Sequence, residues 1–165
     1  MFRMPSEKPA DRRLLWGFWL LAAAVTLVFL FCLRLDLRSV RTLDPAQYTE
    51  TPPAGFRYDC QALPGSGVIT FSGWAAVTGE ELATVDCRLV LYSAGQDRYY
   101  LLPTTMEQSQ AAVAATGDDG AVYAGLYAFA LTRQLPAGEL ELCFAYRNNH
   151  HNALIHTGQM TGGAA

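Results

Sequence analysis

The side chains best suited to metal chemistry in this sequence are three histidines in the segment "NNHHNALIHTG". Neighbouring side chains of an extended segment point to opposite sides, so His150 and His151 are poorly placed to share one ion. His156 follows five residues later and faces the other way again. This geometry favours a solvated loop over a metal site. We therefore expect no bound metal and no cofactor.

Three cysteines, Cys60, Cys87 and Cys143, lie beyond the apolar N-terminal segment. No C-x-x-C pair occurs, which excludes a zinc ribbon and a thioredoxin-type motif. An oxidising exterior would allow one disulfide and leave one thiol over. Strand alternation turns Cys87 inward and Cys143 outward, which argues against a bridge between them. The pairing to test first is Cys60 with Cys143, and unpaired thiols are the alternative.

Candidate catalytic groups are few. The sequence has no G-x-S-x-G nucleophile elbow and no H-E-x-x-H zinc motif. Glu80 and Glu81 lie in a turn-type segment, where solvated charge is the default. Asp118 and Asp119 in "GDDG" are too few to provide the 6–8 oxygens of a calcium site. We therefore predict a protein that is not an enzyme.

The stretch "GVITFSGWAAV" contains one tryptophan that does not fit its alternation, because Trp74 shares a face with hydroxyl side chains. A bulge at Gly73 would turn Trp74 into the core, and the high average burial of tryptophan favours this interpretation. Otherwise Trp74 stands exposed, as on a sugar-stacking face. The candidate ligand-binding residues are Trp74, Tyr99 and Tyr100.

An uncharged apolar segment covers residues 14–33, "LLWGFWLLAAAVTLVFLFCL". As a helix it would span about 30 Å, the hydrocarbon thickness of a bilayer. It is longer than the roughly 7–15-residue core of a signal peptide, and no small-residue cleavage site follows. These features favour an uncleaved transmembrane helix in contact with the lipid bilayer, preceded by a tail at residues 1–13.

Charge is divided unevenly along the chain. Residues 1–41 carry seven basic and three acidic side chains, and residues 42–165 carry five and twelve. A basic flank favours the cytoplasmic side, and an acidic domain without lysine is poorly suited to nucleic acid. We therefore expect a single-pass plasma-membrane protein with a cytoplasmic N-terminus, an extracytoplasmic C-terminal domain and no nucleic-acid partner.

Beyond the apolar segment, residues 34–55 contain "DPAQYTETPPAG" and are expected to form a juxtamembrane stalk; whether the helix continues into this segment stays open. Residues 56–160 alternate short β-type runs with turn residues, which predicts an all-β sandwich of immunoglobulin-like or jelly-roll type. "RYYLLPTTM" is expected to be one strand, and "MEQSQAAVAATG" a short helix or a loop. Residues 161–165 are expected to be a flexible tail.

Several of these runs carry a resemblance, namely "ITFSGWAAV", "RLVLYSAGQDRYYLLP", "YAGLYAFA" and "LPAGELELCFAYR". Together they resemble the ectodomains of small single-pass bacterial envelope proteins that contain a Gly-Trp-Ala strand. Such domains are similar to carbohydrate-binding-type sandwiches and often accompany surface-polysaccharide machinery. The resemblance implies a non-catalytic accessory or binding module for an envelope glycan or an envelope protein complex. A protein-binding subunit of an envelope membrane complex is the alternative, and an envelope hydrolase is the third hypothesis.

Overall fold

The computed structural model describes residues 12–37, 39–79 and 84–162, without the side chains of residues 12–14, 36 and 37. Residues 1–11 of the expected N-terminal tail, the expected turn with Glu80 and Glu81, and residues 163–165 lie outside the described part. The expected tails are each shorter than predicted, because residues 12 and 13 belong to the long helix and residues 161 and 162 to the last strand. The chain divides into two compact units, Met1–Leu37 and Arg38–Ala165.

The first unit contains one long helix, α1 (Arg12–Leu37). Its stretch Leu15–Leu35 has a mean hydropathy of 2.3, so this helix is long and apolar enough to cross a membrane. The hydroxyl of Thr26 donates to the carbonyl of Ala22 at 2.9 Å, which satisfies the one hydroxyl group of the apolar stretch. Because α1 ends at Leu37, the helix continues beyond residue 33 into the segment expected to be a stalk.

The second unit is mostly β structure and contains two antiparallel sheets, as the alternation predicts. Sheet A has the strand order β1-β5-β4-β8-β9 and sheet B the order β2-β3-β7-β6. The elements are β1 (Arg41–Leu43), β2 (Phe56–Pro64), β3 (Val68–Val77), β4 (Val85–Ser93), β5 (Arg98–Leu101), β6 (Thr104–Glu107), α2 (Gln110–Thr116), β7 (Gly125–Leu131), β8 (Glu139–Asn148) and β9 (Asn152–Gly162).

The inner faces of the two sheets share one core. Phe56 of sheet B meets Phe144 and Tyr146 of sheet A edge to face, with ring centroids 5.6 and 5.4 Å apart. Phe144 and Tyr146 are fully buried, and the alternation of β8 correctly predicts that they point inward. Aromatic contacts of this kind add to the area that each ring buries.

Part of the segment expected to be a stalk is instead built into sheet A. Residues 41–43 form β1, which pairs with β5. Farther along, Glu50 bridges to Ala153 of β9, and Tyr48 packs on the outer face of sheet A, where the guanidinium of Arg147 lies 5.5 Å from its ring centroid. Residues 44–50 therefore cross the outer face of sheet A, from the edge strand β1 to the opposite edge strand β9.

The run "RYYLLPTTM" differs from the expectation of one strand. It divides into β5 of sheet A and β6 of sheet B, with buried Leu102 and then Pro103 between them. Proline has no amide hydrogen to donate to a ladder, which fits a position where the chain changes sheets. The alanine-rich segment that follows forms α2, the helical one of its two predicted alternatives. Ser109 caps this helix by accepting a hydrogen bond from the amide of Ala112.

Candidate functional site

Trp74 is buried, with 7% of its surface exposed, but it lies on the outer face of sheet B. The register of β3 with β2 and β7 runs without a shift through this residue, so the bulge expected at Gly73 does not form. Trp74 is covered from outside by α2 and by the 3₁₀ turn Asp119–Tyr123, through the small side chains Ala112, Ala121 and Ala124. The prediction that Trp74 is buried is therefore right, and the predicted cause is wrong.

Two glycines beside Trp74 allow the strands of sheet B to approach closely. A Cβ atom on Gly73 would lie 2.1 Å from the carbonyl oxygen of Asp59, and one on Gly125 would lie 2.7 Å from that of Glu107. Neither position therefore accepts a side chain without movement of the backbone. Because Gly125 pairs with Trp74 and has no side chain, space remains on the outer face beside the indole.

This space is a groove of about 380 Å³, which we call the Trp74 groove. One row across sheet B consists of Asp59, Trp74, Gly125 and Glu107, as the strand registers give it. The next row consists of Gln61, Ser72, Tyr127 and Thr105. The groove is lined by Asp59, Gln61, Leu63, Ser72, Gly73, Trp74, Glu107, Gln108, Ser109, Ala111, Gly125 and Leu126.

The Trp74 groove combines polar side chains with one aromatic residue, the largely buried Trp74. Asp59 and Glu107 supply carboxylates, and Gln61 supplies an amide that can both donate and accept. Tyr127, which pairs with Ser72 in the next row and is 38% exposed, flanks the groove but does not line it. No basic side chain occurs among the described residues that line the groove. The arrangement therefore suits a neutral, hydroxyl-rich ligand better than an anion.

A second cavity, of about 540 Å³, opens beside Tyr123 and contains the side chains of Ala75, Val77 and Val85 in its wall. Most of the surface that lines it is apolar, although Glu107 and Gln108 contribute to both cavities and Asp118 to this one. Of these two cavities, the Trp74 groove is the better candidate for binding a polar molecule.

The outer face of sheet A carries a different set of groups, which we call the His156 cluster: Glu141, Cys143, His156, Tyr99 and Tyr92. The Nδ1 atom of His156 lies 2.9 Å from Oε2 of Glu141 and 3.6 Å from Sγ of Cys143. The hydroxyl of Tyr99 lies 3.2 Å from Nε2 of the same imidazole. The rings of Tyr99 and Tyr92 stack with centroids 4.5 Å apart.

An irregularity in β9 brings these side chains together. Glu141 pairs with Met160 but Cys143 pairs with His156, so the register shifts between them. Gly158 lies within the extra residues of β9 and has a φ of 71°, a left-handed conformation that glycine adopts without strain. Its amide donates to Oε1 of Glu141 at 2.9 Å, which orients the carboxylate toward His156.

The hydrogen bonds of the His156 cluster define its electrostatics. Partial burial raises the pKa of Glu141, but hydrogen bonds from His156 and from the Gly158 amide outweigh this effect and leave the pKa lowered. Burial, and then the neighbouring Glu141 carboxylate, raise the pKa of the Cys143 thiol to about 12. Because a carboxylate only accepts, Nδ1 carries the imidazole hydrogen and, in the neutral ring, Nε2 accepts from Tyr99.

The predicted ligand-binding residues do not come together. Trp74 is on the outer face of sheet B, Tyr99 is on the outer face of sheet A, and Tyr100 packs against the core with its hydroxyl donating to Gln96. The polar residues of the groove were missed, although the alternation of β2 contains the signal that puts Asp59 and Gln61 on one side.

The cysteines and histidines are also distributed differently from the expected pairings. Cys60 and Cys143 are free thiols in separate clusters, Cys60 between the sheets and Cys143 on the outer face of sheet A. The structure does not bring this pair together. His150 is exposed in the turn between β8 and β9, in line with the solvated loop, whereas His156 joins Glu141 and Cys143. No family model, curated protein or solved structure matches this chain.

Proposed function

We propose that this protein is a non-catalytic binding module that is held at the membrane by α1 and binds a neutral saccharide in the Trp74 groove. The single observation that supports this most strongly is the composition of the groove. Its carboxylate and amide oxygens can accept hydrogen bonds from sugar hydroxyls, and the ring of Tyr127 beside the groove offers an apolar surface to one face of a sugar.

The position of the polar groups supports a sugar-sized ligand. Asp59 and Glu107 belong to the outer strands of sheet B, on either side of the row that contains Trp74 and Gly125. A hydroxyl-rich ring seated above Gly125 would have a carboxylate within its reach on each side. The two negative charges disfavour anionic glycans, so neutral hexoses are the proposed ligand class.

The location follows the same proposal. The hydropathy of α1 and the excess of acidic residues after it support a single-pass anchor in the plasma membrane with the β domain on the extracytoplasmic side. In this orientation the Trp74 groove would face the space in which envelope glycans occur.

A glycan array probed with the full chain in detergent micelles tests the proposal. We expect the chain to retain neutral oligosaccharides and to discriminate against sulfated or uronic-acid glycans. Tyr127→Ala removes the exposed ring that flanks the groove, so it should weaken binding by about 10-fold or more at unchanged melting temperature. Glu107→Gln should weaken binding by a similar factor, because it replaces an accepting oxygen with a donor.

The matched controls are Tyr123→Ala, an exposed tyrosine at the second cavity that does not flank the groove, and Glu139→Gln, an exposed carboxylate of sheet A. Both should bind like the unchanged chain. Retention of no glycan, or equal binding by the Tyr127 and Tyr123 variants, would contradict the proposal. Capture of a membrane protein at the groove without glycan would favour the alternative of a protein-binding subunit.

A further inference from the structure

We propose that Glu141, Cys143 and His156 form a binding site for a zinc-type divalent cation on the outer face of sheet A. This site is on the opposite sheet from the Trp74 groove and does not depend on saccharide binding. Its carboxylate oxygen, thiol sulfur and imidazole nitrogen all lie within 4.8 Å of one another.

The distances fit a small tetrahedral ion. Zinc binds sulfur at about 2.3 Å and nitrogen or oxygen at about 2.0–2.2 Å, so adjacent ligand atoms lie roughly 3.3–3.6 Å apart. The Sγ of Cys143 is already 3.6 Å from Nδ1 of His156. The Oε2 of Glu141 is 2.9 Å from Nδ1, and it would move outward by a few tenths of an ångström as the cation replaces the shared hydrogen.

The donor types select the class of cation. One sulfur, one imidazole nitrogen and one carboxylate oxygen suit zinc and related borderline ions, whereas calcium and magnesium require oxygen ligands. Two ligand groups carry a negative charge once bound, so a divalent ion makes the site neutral. Three protein ligands leave one tetrahedral position for water.

Outer groups are in place to orient these ligands. Metal-binding histidines usually hydrogen-bond through their second nitrogen, and here Nε2 of His156 faces the hydroxyl of Tyr99 at 3.2 Å. The second carboxylate oxygen of Glu141 accepts from the amide of Gly158 at 2.9 Å. A plain hydrogen bond between Glu141 and His156 would not need the thiol within reach of the same imidazole nitrogen.

Binding of the hydrated cation releases one proton and the waters that the three protein ligands replace. The cation forms bonds to Sγ, Nδ1 and Oε2, and the thiol proton of Cys143 leaves to solvent. The Nδ1 proton of His156 is exchanged through solvent for a proton on Nε2, and Tyr99 changes from donor to acceptor. Because the side chains of His156 and Glu141 are 43% and 17% exposed, the ion can enter between them and reach the buried sulfur from the solvent side.

Titration of the full chain with cobalt(II) tests the site. The protein is prepared in detergent without a histidine tag, its metal is removed with a chelator, and its thiols are kept reduced with a phosphine. We expect one equivalent of cobalt to give the near-ultraviolet charge-transfer band of a cobalt–thiolate bond, and added zinc to remove the band. Cys143→Ser and His156→Gln should abolish it. Tyr99→Phe should keep the band and weaken cobalt affinity by about 10–100-fold.

Two variants serve as matched controls, His150→Gln for an exposed histidine and Cys32→Ser for a free thiol outside the β domain. Both should titrate like the unchanged chain. Because Cys143 is buried and its replacement could disturb folding, the partly exposed His156 decides the outcome. Absence of the charge-transfer band in the unchanged chain, or a band of full intensity in His156→Gln, would overturn the proposal.

Discussion

The outer faces of the two sheets are covered in different ways. Sheet B is covered by α2 and the turn Asp119–Tyr123, which bury Trp74 beneath small apolar side chains. Sheet A is covered by residues 44–50, which include Tyr48 and accept a hydrogen bond from the half-buried Asn152. The cover of sheet B is therefore stabilised mainly by buried apolar contacts. The cover of sheet A is stabilised by a small apolar cluster together with polar contacts near its edge.

This difference shows how an outer face acquires a site. Where a cover ends, side chains that the strand directs outward remain accessible. The Trp74 groove lies beside α2, and the His156 cluster lies on the part of sheet A that carries Tyr92 and Tyr99. Each candidate site therefore consists of outward-facing side chains of a sheet at a place that the covering segment does not bury.

The largest expected effect on stability comes from removing the indole of Trp74, which packs beneath the cover of sheet B. Trp74→Ala should lower the free energy of unfolding by about 3–5 kcal/mol, a large share of the roughly 5–15 kcal/mol of a typical domain. The reason is the lost burial of the indole together with a cavity beneath α2. Thermal unfolding of the full chain, followed by far-ultraviolet circular dichroism, measures the change.

Tyr123→Ala is the matched control, because Tyr123 belongs to the 3₁₀ turn that covers Trp74 but is itself 65% exposed. It should change stability by no more than about 0.5 kcal/mol. If the Trp74 variant melts like this control, the apolar cover contributes little and the comparison between the two faces fails.

The faces of the strands could be predicted from the sequence, because side-chain alternation follows from backbone geometry. Leu140 and Leu142 point inward and Cys143 points outward, as "LELCFAYR" indicates. The covers could not be predicted in this way. Trp74 is buried on the outer face by a separate helix, and residues 41–43 form a three-residue strand with no apolar period to mark it.

The His156 cluster could not be predicted from the sequence for a related reason. Alternation puts Glu141 and Cys143 on one face, but the register of β9 decides which of its residues lies beside them. That register shifts at a bulge around Gly158, and a shift of this kind depends on the paired strands rather than on local sequence. The position of His156 is therefore a tertiary feature.

A smaller effect is expected at the cover of sheet A. Asn152 donates from Nδ2 to the carbonyl of Gln47 at 2.7 Å and accepts from Nε of Arg147 at 3.2 Å. Asn152→Ala removes both bonds, but water can replace them at this partly exposed site, so unfolding should become easier by about 1 kcal/mol. Urea unfolding measures the change, with Asn149→Ala in the neighbouring turn as control. A loss as large as that of Trp74→Ala would mean that polar contacts dominate this cover.

The smallest effect is expected in the pH dependence of the His156 cluster. In the presence of a chelator, Glu141→Gln should lower stability near neutral pH by about 0.5 kcal/mol, the scale of partly exposed charged pairs. The folded-state pKa of Glu141 lies below its ordinary value of 4.5, so its stabilising contribution is complete above about that pH and is lost as the pH falls through the folded pKa. The stability gap between the two proteins should therefore close on acidification below about pH 4.5. Parallel melting curves at several pH values measure the gap, with Glu139→Gln of the same strand as control. A gap that stays constant, or widens in acid, would show that the Glu141 carboxylate is not held by His156 and Gly158.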